Sequence, residues 1–318
     1  MKILISGGCG FVGSHLCDLY IGDGHTVLCL DNFSSGGLSN VKHLIDYKTF
    51  KLVKGDVCDT ELLDRLVCGV DVVFHLAAQI HVDRSVVEPR LTFESNVIGT
   101  LNVLEAARLY DVGKVVFASS SEVYGSAQTV PIAETHPLEA AHPYGVSKVA
   151  ADRLCYSYAK TYGLDIGVAR CFNTYGPRQR DVGYGGVISI FTRRVLNGFP
   201  PVVFGDGRQT RDYLYVSDAV EAYDSMLKHR GVEPINFGCG KEVSILDLAR
   251  MIIKLCGRED RLEPVFAGAR LGEVDRLIAD SSRARRLLGW EAKVGLHEGL
   301  VKFVDWYRSF GGEERVTL

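Results

Sequence analysis

Short, nearly continuous apolar runs alternate in the first half of the chain with longer segments whose apolar residues recur every three or four positions. The runs lie at 2–6, 26–30, 50–55, 71–77, 114–119 and 165–171. The periodic segments lie at 12–22, 59–67, 92–110 and 144–162. The runs predict strands and the periodic segments predict amphipathic helices. Strands that are apolar throughout and separated by helices are typical of a parallel sheet covered on both faces, so we expect a doubly wound, Rossmann-type α/β fold.

The pattern changes beyond about residue 172, where shorter apolar pieces are mixed with helical segments. Helices are predicted near 188–198, 217–229, 244–256 and 296–309. The pieces between them, such as RDYLYV at 211–216 and INFGCG at 235–240, predict short strands. We therefore expect a large domain at 1–172 and a smaller mixed α/β lobe at 173–318, with some exchange of chain between them.

Composition narrows the class of protein. The sequence has 318 residues, of which 47% are apolar and 24% charged, and its formal net charge is −3. This balance is typical of a globular protein with a large core, and it favours neither a nucleic-acid partner nor an anionic membrane surface. No apolar run approaches the roughly 20 residues that a membrane span requires. The first residues, MKILISGG, enter a strand without the pattern of a secretory signal, so we expect a cytoplasmic protein.

The cysteine and histidine residues give no metal-binding pattern. The nine cysteines occur singly, without a CxxC motif, and the nine histidines form no HExxH or comparable set. We interpret the cysteines as reduced core residues, and we expect no metal ion.

The first predicted strand leads into ISGGCGFVGSH at 5–15, a glycine-rich turn that opens a helix. Gly7, Gly10 and Gly13 allow a tight turn, close approach of a pyrophosphate and close helix packing. The helix N-terminus offers N–H groups to phosphate oxygens. Asp31 ends the second strand, where its carboxylate can accept hydrogen bonds from both ribose hydroxyls and would repel a 2′-phosphate. Asp31 alone also fits a solvated turn, but this strand–loop–helix context predicts NAD rather than NADP.

Other residues near the carboxyl ends of the predicted strands are expected at the same cofactor site. Asp56, after the third strand, suits an adenine contact, and the HLAA segment at 75–78 runs beside the cofactor. Besides the glycines and Asp31, the expected contacts are Phe11, Val12, Asn32, Asp56, Val57, Leu76, Ala77 and Ala78.

Tyr144 and Lys148 lie four residues apart in a predicted helix, and therefore on one face of it. A neighbouring ammonium favours the phenolate and is expected to lower the tyrosine pKa from its ordinary value of about 10. A bound nicotinamide cation would act in the same direction. Tyr144 is thus a candidate general base near neutral pH. Such pairs occur by chance in many helices, and this one gains meaning from the glycine loop, Asp31 and the polar strand end at 119–122.

The motifs GGCGFVG, Asp31, SSSE at 119–122 and YGVSK at 144–148 together resemble the extended short-chain dehydrogenase/reductase family. The resemblance continues through FNTYGPRQ, GDGRQTRDYLYVSD and ARLGEVDRLIAD, and so through nearly the whole chain. It implies an NAD-dependent epimerase or dehydratase of a nucleotide sugar, most similar to the 4-epimerases of the UDP-glucose/UDP-galactose type.

The resemblance also implies roles for individual residues. Ser120 would hydrogen-bond the sugar 4-hydroxyl, Tyr144 would take its proton, and Lys148 would hold the nicotinamide ribose. Asn96 and Phe172 match positions that line the cofactor. The expected substrate contacts are Ser120, Ser121, Asn173, Arg211, Tyr213 and Arg270, of which the arginines suit a diphosphate.

Alternatives remain for the arginines of the second half. Arg211 and Arg270 each also fit a surface ion pair, with Asp212 or with Glu273. The run RQRD at 178–181 is interpreted as a solvated loop rather than a ligand contact.

Glu122 separates the reactions that are open to such an enzyme. An epimerase returns hydride to the opposite face of a 4-ketosugar, whereas a 4,6-dehydratase needs a base at C5 and an acid for the 6-hydroxyl. Glu122 would be that base, and hence catalytic, only in a dehydratase. The dTDP-glucose dehydratases typically have Thr-Asp-Glu where this chain has Ser-Ser-Glu at 120–122, and a serine is a poor acid. Other dehydratases and the decarboxylases come closer to Ser-Ser-Glu, and HVDRS at 81–85 is also dehydratase-like.

A decarboxylase is disfavoured because apolar residues occupy 277–279, where that family places an arginine. The hypothesis is therefore 4-epimerisation of a UDP-sugar, with a dehydratase as the alternative. A non-catalytic NAD-binding regulator is a remote alternative, because both Tyr144 and Lys148 are present. The helices near 96–110 and 144–162 resemble those that pair two subunits in a four-helix bundle, so a homodimer is expected, although their apolar faces also fit ordinary core.

Overall fold

A computed structural model describes residues 1–180, 185–270 and 273–310. The strands of its first half are β1 (Lys2–Ser6), β2 (Thr26–Asp31), β3 (Phe50–Lys54), β4 (Val72–His75), β5 (Lys114–Ala118) and β6 (Ile166–Cys171). Those of the second half are β7 (Asn173–Tyr175), β8 (Val202–Phe204), β9 (Thr210–Tyr215), β10 (Ile235–Phe237), β11 (Glu242–Ser244), β12 (Val265–Ala267) and β13 (Arg276–Leu277). A parallel seven-stranded sheet has the order β3-β2-β1-β4-β5-β6-β10. The predicted doubly wound α/β fold is confirmed.

Helices cover both faces of this sheet. The α-helices of the described residues, in both lobes, are α1 (Phe11–Gly22), α2 (Thr60–Val67), α3 (Val82–Val87), α4 (Pro89–Phe93), α5 (Gly99–Leu109), α6 (Pro143–Tyr162), α7 (Val187–Leu196), α8 (Val216–Ser225), α9 (Ile245–Leu255), α10 (Ser282–Leu288) and α11 (Leu296–Phe310). Leu16 of α1 and Ala222 of α8 belong to the core on one face of the sheet. Leu63 of α2, Val103 of α5 and Cys155 of α6 belong to the core on the other face.

The segment predicted as one helix at 92–110 consists of three pieces. A π-helix at Glu94–Ile98 separates α4 from α5. The helix also begins earlier than predicted, because Pro89 is well accommodated in a first turn, where its missing N–H costs nothing. The prediction of an uninterrupted helix was wrong, since a π-helix is too short an interruption to change a 3.6-residue apolar pattern.

The second lobe is built around β9. β11 pairs with β9 antiparallel, whereas β7 and β13 pair with it parallel, and β8 pairs with β12 in a separate parallel ribbon. Buried residues of α7, α9 and α11 pack together over this lobe. Although β10 belongs to the second half of the chain, it extends the large sheet beside β6. The division at residue 172 stays a prediction.

Three further features concern the described residues as a whole. None of their helices combines the length and the apolar character needed to cross a membrane. They contain no group of three or more His, Cys, Asp or Glu side chains arranged to hold a metal ion. All nine cysteines are free, and Cys58 and Cys68 are exposed, so the expectation of core positions was wrong for these two.

Candidate active site

A cavity of about 950 Å³ opens at the carboxyl edge of the large sheet, where the strand order reverses between β1 and β4. Ligands of doubly wound sheets bind at such a reversal, and the volume lies at the upper end of the range for small-molecule sites. The predicted cofactor residues that line it are Gly7, Gly10, Phe11, Val12, Gly13, Asp31, Asn32, Asp56, Val57, Leu76, Ala77, Ala78, Tyr144, Lys148 and Phe172. The predicted catalytic and substrate residues that line it are Ser120, Ser121, Glu122, Asn173, Arg211, Tyr213 and Arg270.

The glycine loop leaves no room for side chains. Gly7 has a φ of +74°, and a Cβ there would lie 2.8 Å from the backbone nitrogen of Ala77. A Cβ on Gly13 would lie 2.2 Å from the carbonyl oxygen of Gly7. The loop is therefore packed backbone against backbone, and the first turn of α1, whose N–H groups can bind phosphate oxygens, lines the cavity.

Two acidic residues follow β2 and β3. Asp31 is buried, and its carboxylate accepts hydrogen bonds from the N–H groups of Cys9 (2.9 Å) and Phe33 (2.8 Å). Burial raises the pKa of Asp31, while these N–H groups act against the rise. Asp56 accepts from Asn32 Nδ2 at 2.7 Å. Burial also opposes its ionisation, yet the hydrogen-bond donors around Asp56 bring its pKa below the ordinary value.

Ser120, Tyr144 and Lys148 all line the cavity. Tyr144 lies in the first turn of α6, and its hydroxyl is hydrogen-bonded to Ser120 beyond the end of β5. Lys148 lies one turn further along and is buried. Its Nζ donates to the Ala118 carbonyl oxygen at 2.9 Å and lies 5.2 Å from the centroid of the Phe117 ring.

The expectation that Lys148 lowers the pKa of Tyr144 was wrong for the protein chain alone, because this pKa is raised. Burial raises the pKa of Tyr144 to about 12, although the hydrogen bond with Ser120 lowers it, and the Glu122 carboxylate adds to the rise. Burial likewise lowers the pKa of Lys148 to about 8. The spacing of the two residues predicted their proximity but not their loss of solvent, which disfavours the charged form of both groups.

The Glu122 carboxylate is engaged by a residue that the sequence analysis missed. Its Oε2 lies 3.1 Å from Nε2 of His142. His142 is the N-cap of α6, where its Nδ1 accepts the N–H of Gly145 at 3.1 Å. Its ring is parallel to that of Tyr144 within 10°, at a centroid distance of 6.0 Å. The place of His142 directly before Pro143 was an available signal, because proline favours the first position of a helix and so marks the residue before it as the cap.

Two predicted substrate residues of the second half, Arg211 and Arg270, also line the cavity. Arg211 Nη2 is 3.4 Å from Glu273 Oε1, so the alternative ion pair exists, yet the arginine also lines the cavity. Arg270 has its guanidinium 4.1 Å from the centroid of the Phe204 ring. Asp212 is not the partner of either arginine, because its carboxylate accepts the backbone N–H groups of residues 239, 240 and 279.

Some buried polar atoms of the described lining residues have no hydrogen-bond partner and could bind a polar ligand. Four such atoms are buried without a hydrogen-bond partner: Ser119 Oγ, Asn173 Oδ1, Arg178 Nη1 and Tyr213 Oη. Buried polar groups are seldom left unpaired in folded proteins. Together with the glycine loop and Asp31, they make the wall suitable for a dinucleotide and a second polar molecule.

Two residues lie elsewhere than the sequence indicated. Asn96 is not part of the cavity lining, because its amide lies behind the wall and bonds the backbone of Gln79 and the hydroxyl of Ser147. Arg178 was expected in a solvated loop, which was wrong: it lines the cavity, with Nη2 2.7 Å from Asp18 Oδ2 of α1. Residue 181 of the same run lies outside the described residues.

The fold and these side chains define a class of dinucleotide-dependent enzymes. A family model described as GDP-mannose 4,6 dehydratase matches residues 4–303. UDP-glucose 4-epimerase of Mycolicibacterium smegmatis is 40% identical over 312 residues, which cover 97% of this chain and 99% of that protein. dTDP-glucose 4,6-dehydratase of an Actinoplanes species is 38% identical over 319 residues, covering 97% and 98%. The structure of Thermus thermophilus UDP-glucose 4-epimerase in complex with NAD has a TM-score of 0.90 at 34% identity, covering 98% and 100%.

The chain therefore belongs to the GDP-mannose 4,6-dehydratase family of the extended short-chain dehydrogenases/reductases, NAD-dependent enzymes that modify nucleotide sugars. Epimerases and dehydratases resemble it at nearly equal identity. The choice between the two reactions must come from the residues around Tyr144.

Proposed function

We propose that the protein catalyses NAD-dependent 4-epimerisation of a UDP-sugar of the UDP-glucose/UDP-galactose type. The observation that carries the proposal is the arrangement of acid–base groups around Tyr144. The phenol adjoins Ser120, and Lys148 lies one helical turn further along the same wall, as removal of a 4-hydroxyl proton requires. The Glu122 carboxylate is hydrogen-bonded to His142, and Ser121 supplies no acid for a departing 6-hydroxyl. This arrangement supports a reaction that needs a base at O4 and none at C5.

The residues proposed to hold NAD are the glycine loop, Asp31 and Lys148. When bound there, NAD would supply the hydride acceptor, and afterwards the hydride donor, for C4 of the sugar. Tyr144 takes the 4-hydroxyl proton, which leaves a 4-ketosugar, and gives it back when the carbon is reduced again. Ser120 holds the oxygen during both transfers. Arg211 and Arg270 hold the diphosphate, so that the sugar can turn over while the nucleotide stays in place.

Replacing Tyr144 tests the proposed base. In Tyr144→Phe we expect kcat to fall about 10²- to 10⁴-fold, because only the proton acceptor is lost. Binding of NAD, followed by calorimetry, remains close to that of the parent protein. The matched control is Tyr47→Phe, which removes a hydroxyl from a half-exposed surface residue and leaves turnover unchanged. Near-normal turnover in Tyr144→Phe would show that the assignment is wrong.

The reaction itself is tested by its product. The purified protein is incubated separately with UDP-glucose, UDP-glucuronate, UDP-N-acetylglucosamine and dTDP-glucose, and the products are analysed by mass spectrometry and proton NMR. The proposal predicts an unchanged mass and an inverted C4 configuration with a UDP-sugar. A product lighter by one water would instead establish the alternative, a 4,6-dehydratase, which the position of Glu122 on the cavity wall keeps open.

We also propose that two copies of the chain pair through α5 and α6. Large apolar side chains are exposed on these two helices, at Leu109 (57%), Val146 (43%) and Tyr162 (54%), and at Ile98 (46%), the last residue of the π-helix before α5. In a two-fold dimer, the equivalent face of a second copy would remove these side chains from water. Light scattering of the purified protein should give twice the mass of 34.9 kDa, and a monomer would contradict this pairing.

A further inference from the structure

We propose that Glu122 is a positioning residue, which holds the first turn of the catalytic helix through His142 and thereby sets the place of Tyr144. The proposal rests on the epimerase function proposed above. It assigns a role to a carboxylate that this reaction does not need as a base.

The N-cap of α6 is an uncommon one. Serine, threonine, aspartate and asparagine are preferred at this position, since their side-chain oxygen accepts an N–H of the first turn. Here the acceptor is Nδ1 of His142, 3.1 Å from the nitrogen of Gly145. A ring nitrogen accepts a hydrogen bond only when it carries no proton.

The tautomer of His142 is set by its two partners, the N–H of Gly145 and the carboxylate of Glu122. Because Nδ1 accepts from Gly145, the proton of the neutral ring lies on Nε2, which is 3.1 Å from Glu122 Oε2 and donates to it. Only 3% of the His142 side chain and 16% of the Glu122 side chain are exposed, so water is a poor substitute for either partner. Without the carboxylate, the other tautomer would direct an N–H at the N–H of Gly145 and the cap would be lost.

Glu122 is itself rigidly placed. It lies in a 3₁₀ turn at Ser121–Val123, and its N–H donates to Ser120 Oγ at 3.2 Å. Its carbonyl oxygen lies so close to α6 that a Cβ on Gly145 would approach it to 2.6 Å. The turn after β5 and the first turn of α6 are thus joined by main-chain packing and by the Glu122–His142 bond.

Tyr144 is the second residue of the helix that this cap begins, and its ring lies parallel to that of His142. Its N–H donates to Ser85 Oγ of α3 at 3.1 Å, which fixes the same turn from the other side. Loss of the cap would shift the phenol relative to Ser120. Small displacements of a catalytic group lower turnover strongly while substrate binding is largely kept.

The test is a double-mutant cycle with UDP-glucose on NAD-saturated protein. Glu122→Ala lowers kcat about tenfold to a hundredfold with little change in KM. Glu122→Gln keeps kcat within about threefold, because its amide oxygen still accepts from Nε2, although less strongly than a carboxylate. In the His142→Asn background, where the cap needs no tautomer, Glu122→Ala lowers kcat by less than about threefold. Glu61→Gln, at an exposed glutamate of α2, is the matched control and has no effect.

Three results would overturn the inference: equal damage from the Gln and Ala variants, an equal effect of Glu122→Ala in both backgrounds, or a harmless Glu122→Ala. If the melting curve shows that His142→Asn does not fold, the comparison of Glu122→Gln with Glu122→Ala still tests the inference. A parent product lighter by one water overturns the epimerase function instead, whatever the order of the variants. The two failures are therefore distinguishable.

Discussion

Lys148 combines a proposed catalytic role with an unfavourable environment. It is only 4% exposed, and its Nζ donates to the Ala118 carbonyl oxygen. Burial lowers its pKa from 10.5 to about 8, so the native state holds this charge at neutral pH at a cost in stability. A residue that burdens the fold in this way is expected where function requires the charge.

Lys148→Met should therefore abolish activity and stabilise the fold. At pH 7 we expect the free energy of unfolding to rise by about 1–2 kcal/mol, because the removed desolvation cost exceeds the lost hydrogen bond. Between the folded pKa of about 8 and the ordinary value of 10.5, the unfolded chain keeps a proton that the native state has released. The parent protein gains stability as the pH rises through this interval, so the advantage of the variant shrinks.

Urea unfolding at pH 7 and pH 10 measures this difference. Lys51→Met, at an exposed position of β3, is the control and should give the same small change at both values. A Lys148→Met protein that is less stable than the parent at pH 7 would contradict the argument.

At the scale of an element, α1 contains two glycines at which we expect substitution by alanine to have opposite effects. A Cβ on Gly13 would meet the Gly7 carbonyl oxygen at 2.2 Å, whereas a Cβ on Gly22 would meet nothing within 4 Å. We expect Gly13→Ala to lower the free energy of unfolding by about 1–3 kcal/mol, as overpacked sites do. Because the loop must shift, NAD binding weakens by at least about tenfold, which corresponds to 1.4 kcal/mol.

Gly22→Ala is the matched control in the same helix. It removes backbone freedom from the unfolded chain without a clash, so stability rises by up to about 1 kcal/mol and NAD affinity is unchanged. Thermal unfolding and calorimetric titration with NAD measure both variants. A Gly13→Ala protein that matches the parent in both would show that the loop does not depend on close packing.

At the scale of the whole molecule, Asp212 joins the two sheets. It lies in β9, and its carboxylate accepts the N–H groups of Cys239 (2.8 Å), Gly240 (2.8 Å) and Ala279 (3.1 Å). Cys239 and Gly240 lie just beyond β10 of the large sheet, after Gly238. Burial raises the pKa of Asp212 to about 6, against the effect of these N–H groups.

Asp212→Asn should loosen this junction. The asparagine amide replaces one acceptor oxygen with an NH₂ group, which cannot accept a hydrogen bond from the surrounding backbone N–H groups. We expect a loss of about 1–3 kcal/mol in the free energy of unfolding. Asp206→Asn, at a side chain that is 68% exposed, is the control and should change stability little. Urea denaturation compares them, and an unchanged midpoint for Asp212→Asn would mean that the three hydrogen bonds contribute nothing measurable.

The sequence by itself determined the first six strands of the large sheet, the glycine loop, the position of Asp31 at the end of β2, and the placement of Tyr144 and Lys148 one turn apart on one helix. Each of these depends on local spacing: apolar runs give strands, glycine spacing gives the turn, and four residues span one helical turn. Such features appear in the fold as predicted because they depend on residues that are close in the sequence.

Only the tertiary structure decided the electrostatics of the site and the partners of its polar groups. The raised pKa of Tyr144 follows from burial by residues far away in the chain. The same holds for the pairing of Arg178 with Asp18, for Asn96 behind the wall, and for β10 beside β6. Whether Glu122 faced substrate or another side chain was also open in the sequence, because its partner, His142, lies on a different element. Desolvation and long-range pairing depend on which segments pack together, and no local pattern encodes that.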